Sequence, residues 1–151
     1  MKNTPHFAQL FLRLALGIGF ILPVMDRFGW LGTPGSPTVG WGSWPIFVDY
    51  THSLMPYLSR SLANVMGGIA TAGELIFGIL LIIGYKIKLA AIGSFLLTLA
   101  FALSMLIFAN YRAPFNYSVF VVSASSLLLA TLPGYKWSVD GVKVLTTDTN
   151  R

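Results

Sequence analysis

Residues 89–109, LAAIGSFLLTLAFALSMLIFA, contain no charged side chain. Crossing about 30 Å of bilayer hydrocarbon takes roughly 20 helical residues. This run meets that requirement alone. Three more segments match or approach it: 7–25 (FAQLFLRLALGIGFILPVM), 62–84 (containing MGGIATAGELIFGILLIIG) and 115–132 (FNYSVFVVSASSLLLATL). Charged residues make up only 10% of the 151, against about 25% in ordinary soluble domains. The predicted fold class is all-α: an integral membrane four-helix bundle, one domain over 1–151. No small-residue cleavage site follows the first apolar run, where Pro23, Met25, Asp26 and Arg27 fall instead. That run is therefore expected to stay as a span rather than leave as a signal peptide.

Four crossings place Lys2, Lys86, Lys88, Lys136, Lys143 and Arg151 on one side, and Arg27, Arg60 and Arg112 on the other. Positive residues favour the cytoplasmic face, so both termini are expected inside a bacterial-type inner membrane. The net charge of +5 is scattered between apolar runs, not gathered into the basic stripe a nucleic acid requires. The expected partner is the lipid bilayer. The chain has no cysteine, which excludes disulfides, thiol chemistry, cysteine-held zinc and iron–sulfur clusters. His6 and His52 fall at opposite faces in this topology and cannot share one haem or metal. No metal, haem or flavin is predicted.

The link Tyr85–Lys88 makes the second and third spans antiparallel neighbours. Small residues four apart predict close helix contacts: Ala15 and Gly19, Ala63 and Gly67, Gly68 and Ala72, Ala90 and Ser94, Ser126 and Ala130. The segment 26–61 between the first two spans is long and rich in Gly, Pro and Trp. Within it, Pro45 suits the first turn of a helix starting after Ser43 or Trp44. Ile46, Phe47, Tyr50, Leu54, Tyr57 and Leu58 would then share one broad face, and Pro56 limits its length. Trp30, Trp41 and Trp44 suit the headgroup level. The expectation is a long extracytoplasmic first loop carrying a short interfacial helix over the outer mouth of the bundle.

Glu74 stands in the middle of the second span, about 15 Å from either end at 1.5 Å per residue. An ionised, unpaired carboxylate there costs several kcal/mol. It must be protonated, paired or facing a wet cavity. Arg13 in the first span lies about 9 Å deep on the same count, so a partner within arginine's reach is expected there. Two uses remain open for each residue: Arg13 pairs with Glu74 or snorkels to the headgroups, and Glu74 is a structural latch or a protonatable ligand site. Asp26 and Arg27 close the first span. Asp49 and His52, three apart on the loop helix, are either a proton relay at the outer mouth or solvated interfacial groups.

FLRLALGIGF, then GELIFGILLIIGYKIKLAAIGSFLLTLAFALSM, then LPGYKWSVDGV form an ordered series across the chain. The series resembles the DoxX family of small four-span membrane proteins. DRFGWLG followed by VGWGSWPIF resembles a bacterial DoxX-like subgroup with a long first loop. The resemblance places Arg13 and Glu74 at that family's charged positions. It places Asp140 at the aspartate of its closing motif, where Ser138 or Asp140 would cap a short cytoplasmic helix. It implies a link to quinone-coupled oxidation and to redox enzyme complexes.

Three functions follow as alternatives. The first is a membrane subunit of a quinone-linked redox system. There Glu74 serves as candidate proton donor or acceptor, and Arg13, Asp26, Arg27, Asp49, His52, Trp41 and Trp44 are candidate ligand-binding residues. A redox enzyme partner would supply the electrons, since no self-contained catalytic motif is present. The second is a membrane anchor or assembly factor. The third is a small proton or solute permease, for which homo-oligomerisation would make up for the missing inverted repeat.

Overall fold

The computed structural model describes residues 6–141, all of its regular structure helical. Helix α1 spans His6–Arg27, α2 Trp44–Ser53, α3 Arg60–Ile83 and α4 Ile87–Ser104, with a π-helical continuation over Met105–Ala109. Helix α5 is one short turn, Ala113–Asn116, and α6 covers Val119–Thr131. Three of these are long and apolar enough to cross a membrane: His6–Arg27, Arg60–Ile83 and Ile87–Ala109.

The segment expected as a fourth span is divided. Asn110 Oδ1 accepts from the backbone N–H of Arg112 and Ala113, and Pro114 starts the short helix. Ser118 then takes a left-handed φ of 54° before α6 begins. Thirteen residues remain in α6, about 20 Å of helix. An asparagine cap and a left-handed residue win over hydrophobicity here.

Contacts run from α1 to α3, α3 to α4, α4 to α6, and from α6 back to α1. All four helices contribute to one apolar cluster: Leu16 and Phe20, Leu81, Ile87, Ala90 and Ala91, Leu129 and Ala130. Small residues bring backbones together, though only partly at the expected positions. Ala90 and Ser94 are buried, as are Ser126 and Ala130 on α6, the helix with which α4 makes its main contact. Ala15 and Gly19 are exposed, and the α1–α3 approach falls to Gly17 and Gly78 instead. A Cβ on Gly17 would lie 3.0 Å from the Gly78 carbonyl oxygen, and one on Gly78 3.1 Å from that of Gly17. This contact fixes how far α1 is slid along α3.

The end of the bundle where α1 begins is clasped by residues far apart in sequence. Gln9 Nε2 donates to Lys136 O at 2.8 Å, and Arg13 Nη2 to Trp137 O at 2.8 Å. Gly84 ends α3 at a left-handed φ of 79°, and the backbone of Asp140 donates to its carbonyl at 3.0 Å. Ser138 Oγ accepts from Gly141 N at 3.0 Å, a cap on the helical residues 139–141. Asp140 does something else. Its carboxylate accepts from Lys86 N at 3.0 Å and Ile87 N at 2.9 Å, capping α4 from outside that helix. Replacing Asp140 with Ala is expected to cost about 1 kcal/mol of stability, the usual worth of an N-cap. Unfolding followed by α4-specific hydrogen exchange checks it.

Candidate functional site

Glu74 is buried at 5% exposure, and its partner is Arg27, not Arg13. Arg27 Nη2 donates to Glu74 Oε1 at 3.0 Å, Nη1 donates to Oε2, and the same Nη1 reaches Thr71 Oγ1 at 2.7 Å. Such a two-pronged guanidinium–carboxylate pair is the strong form of the interaction. The reason for the change of partner is register. Arg13 lies beside Gly84, where a Cβ would come within 2.9 Å of its Nη1. Gly84 is ten residues beyond Glu74 on α3, about 15 Å of helix, too far for the pair. The α1 helix is slid toward and past the Gly84 end of α3, and its last residue, Arg27, comes level with Thr71.

That stagger leaves the first eleven residues of α3, about 16 Å, standing above the end of α1. Helix α2 fills this space. Ser43 and Pro45 start it as the sequence suggests, and it stops at Ser53, before Pro56. Its buried face is Phe47, Val48 and Thr51. Ile46 and Tyr57 of the expected face are exposed instead; Tyr57 lies beyond the helix, which ends at Ser53. The Phe47 ring enters a notch at Gly67, where a Cβ would come within 3.0 Å of it. Seated there, Phe47 lies 4.0 Å from the Arg27 guanidinium carbon, with Trp41 at 5.2 Å. Both rings present π-faces to a desolvated cation, a favourable arrangement.

Asp26 holds the loop. Its Oδ2 accepts from Trp41 N at 2.8 Å and Gly40 N at 3.2 Å. Neighbouring residues at the end of α1 thus divide the work: Arg27 binds Glu74, and Asp26 places Trp41 over Arg27. Trp44 stands on the other side of Phe47, donates from its indole to Asn64 Oδ1 at 2.8 Å, and stacks on Phe28 at 5.8 Å and 13°.

Asp49 and His52 take no part. Arg60 Nε donates to Asp49 Oδ1 at 2.6 Å on the surface, and His52 Nε2 to Leu58 O at 3.0 Å. The hydrogen bond from Arg60 holds the Asp49 carboxyl below its ordinary range. A depressed pKa means that this bridge is present at neutral pH and lost as pH falls through the lowered value. Both side chains are more than half exposed, so its contribution is small.

Between α1 and α3, beside the ion pair, lies an open groove of about 460 Å³ lined by Val24, Phe28, Trp44, Gly68, Thr71, Ala72 and Leu75. Thr71 is its polar member. Its oxygen accepts from Arg27, while its own proton has no acceptor among the described residues. A hydroxyl donor is thus left in the lining of an apolar groove, linked to Glu74 through the Arg27 guanidinium.

Of the residues singled out in sequence, the structure brings together Glu74, Arg27, Asp26 and Trp41, with Trp44 on the groove wall. It separates Arg13, Asp49 and His52. Thr71 and Phe47 complete the site and were not singled out for it. The spacing of Thr71 and Glu74, three apart on one helix face, was a signal for the first. Among the described residues no three His, Asp or Glu side chains converge as a metal would need.

Three helices of membrane-spanning length and apolarity make this a multi-pass membrane protein. The chain matches no family model, no curated protein and no solved structure.

Proposed function

We propose that the protein is a DoxX-like, four-span subunit of a quinone-linked redox system, binding a carbonyl-bearing lipophilic ligand of quinone type in the groove beside Glu74. The observation that carries this reading is the Thr71 hydroxyl, a free donor in an apolar lining and hydrogen-bonded to the Arg27 guanidinium of the Arg27–Glu74 pair. A quinone fits that donor set, since its carbonyl oxygens accept hydrogen bonds and its ring and tail are apolar. When bound, it supplies the two-electron, two-proton couple. Thr71 orients a carbonyl, the stacked Phe28–Trp44 pair gives the ring one aromatic wall, and Glu74 holds or releases a proton under the control of Arg27. Electrons come from a partner redox enzyme.

In this reading both termini face the cytoplasm, on the strength of the lysines at that end, and α2 lies in the outer interface over the site. The location is a bacterial-type inner membrane.

Titrating a short-chain quinone into the nanodisc-embedded protein tests the reading through quenching of tryptophan fluorescence. Saturable binding is expected. Thr71→Val should weaken it about tenfold, the worth of one hydrogen bond of about 1–1.5 kcal/mol. Identical titrations for wild type and T71V would refute the site.

One observation favours a second reading, a membrane anchor with a purely structural latch. Both Glu74 oxygens are already engaged by Arg27. Quinone-dependent turnover of the partnered complex separates the two: the double variant R27L/E74L, which removes both charges together, abolishes it in the first reading and leaves it intact in the second.

A further inference from the structure

A second cavity adjoins the apolar groove. It measures about 490 Å³ and is lined by Trp44, Pro45, Val48, Arg60, Ser61, Asn64 and Val65. The two cavities share Trp44 as a wall and follow each other along α3, from Arg60, Ser61 and Asn64 to Gly68, Ala72 and Leu75. Those positions recur at three- and four-residue steps, so they form one stripe of the helix surface.

The two halves of the stripe differ in chemistry. Asn64 accepts the indole N–H of Trp44; an indole can only donate, so the acceptor must be the amide oxygen, and the amide NH₂ faces elsewhere. Asp49 engages only Nε of Arg60, leaving both terminal nitrogens of the guanidinium without a partner among the described residues. Ser61 adds an exposed hydroxyl. The upper cavity therefore offers guanidinium, amide and hydroxyl donors together. The lower cavity offers Val24, Phe28, Gly68, Ala72 and Leu75, with no charge.

Length agrees as well. Arg60 to Leu75 is fifteen residues on α3, about 22 Å, and Asn64 to Leu75 is about 16 Å. One leaflet measures about 20–22 Å with its headgroups and about 15 Å of hydrocarbon. Donors lie at headgroup depth and the apolar half at acyl-chain depth.

We infer that this stripe is a specific site for one glycerophospholipid, its phosphodiester held by Arg60, Ser61 and Asn64 and one acyl chain lying past Trp44 along Gly68, Ala72 and Leu75. A phosphodiester presents only acceptors, which suits a donor set of this kind, and arginine recognises phosphate through its terminal nitrogens. The inference shares the apolar groove with the quinone reading and stands without it.

Native mass spectrometry of the delipidated protein, with a phosphatidylglycerol added back, tests the proposal. Diacylglycerol with the same chains, which lacks the phosphate, is expected to bind at least tenfold more weakly. The double variant R60Q/S61A alters only exposed groups and should lose the phospholipid about tenfold while keeping quinone quenching. Gly68→Leu should exclude both ligands, and a Cβ there meets nothing within 4 Å, so this variant should fold. Thr71→Val should leave phospholipid binding unchanged, which keeps the two readings apart. Inorganic phosphate at millimolar concentration should not displace the lipid; displacement would mean an anion site and overturn the inference. Equal binding of both lipids, or wild-type retention in R60Q/S61A or in G68L, would reduce the stripe to ordinary annular contact and overturn it too.

Discussion

Arg27→Leu is expected to destabilise the protein by about 3–5 kcal/mol, because it strands a buried carboxylate without its counter-charge. Glu74 sits at 5% exposure, and Arg27 at 2%, under the Phe47 and Trp41 rings. Neither can turn to water. Removing both charges is expected to cost much less, since a buried ion pair can often be replaced by apolar groups of like volume with little net loss. The double variant R27L/E74L should therefore recover most of the stability that R27L loses. Arg13→Leu is the control. It loses one hydrogen bond to Trp137 O, worth about 1 kcal/mol, and lies too far from Glu74 to couple with it. Unfolding in detergent, run as two double-mutant cycles, gives the answer. A strong coupling of Glu74 to Arg13, with none to Arg27, would invalidate the register of α1 on α3 and with it the site.

Gly78→Val is expected to cost about 1–3 kcal/mol by overpacking. A Cβ at Gly78 would lie 3.0 Å from Ile21 Cδ1 and 3.1 Å from the Gly17 carbonyl oxygen. The isoleucine can swing aside, but the carbonyl belongs to a helix backbone and cannot. The helices must part or slide, and either movement strains the Arg27–Glu74 pair farther along the same contact. Gly19→Ala offers the comparison. Nothing lies within 4 Å of a Cβ there, and alanine is the better helix former by up to about 1 kcal/mol, so this change should be neutral or stabilising. Thermal midpoints of G78V and G19A should move in opposite directions or differ clearly. Equal values would show that glycine at Gly78 does not set the approach.

Much of the fold was open to inspection in the sequence. Apolar runs of crossing length gave the three long helices, and Ser43 with Pro45 gave the start of α2. Both signals are local, carried by consecutive residues and by backbone restrictions that hold in any surroundings. The candidate site was half legible. A carboxylate in an apolar run demands a partner, and that demand is real. Its identity was not legible, because depth along a span locates a charge only where all spans begin and end at the same planes. Helix α1 is displaced along α3, so Arg13 comes beside Gly84 and Arg27 beside Thr71. The division of the last apolar segment at Ser118 has a related reason: an average over hydrophobicity is blind to a single left-handed residue.

The sequence by itself determined that this chain lies in a bilayer as helices and that Glu74 cannot stand there alone, because desolvation of a peptide group or a carboxylate depends on residue type and depth, whatever the neighbours. Only the tertiary structure decided which arginine answers it, which aromatic rings enclose the pair, and that Asp140 caps a helix more than fifty residues away. The choice of arginine depends on helix register, which is set where Gly17 meets Gly78. Backbone contact between two helices is a property of both surfaces at once, and no single stretch of sequence contains it.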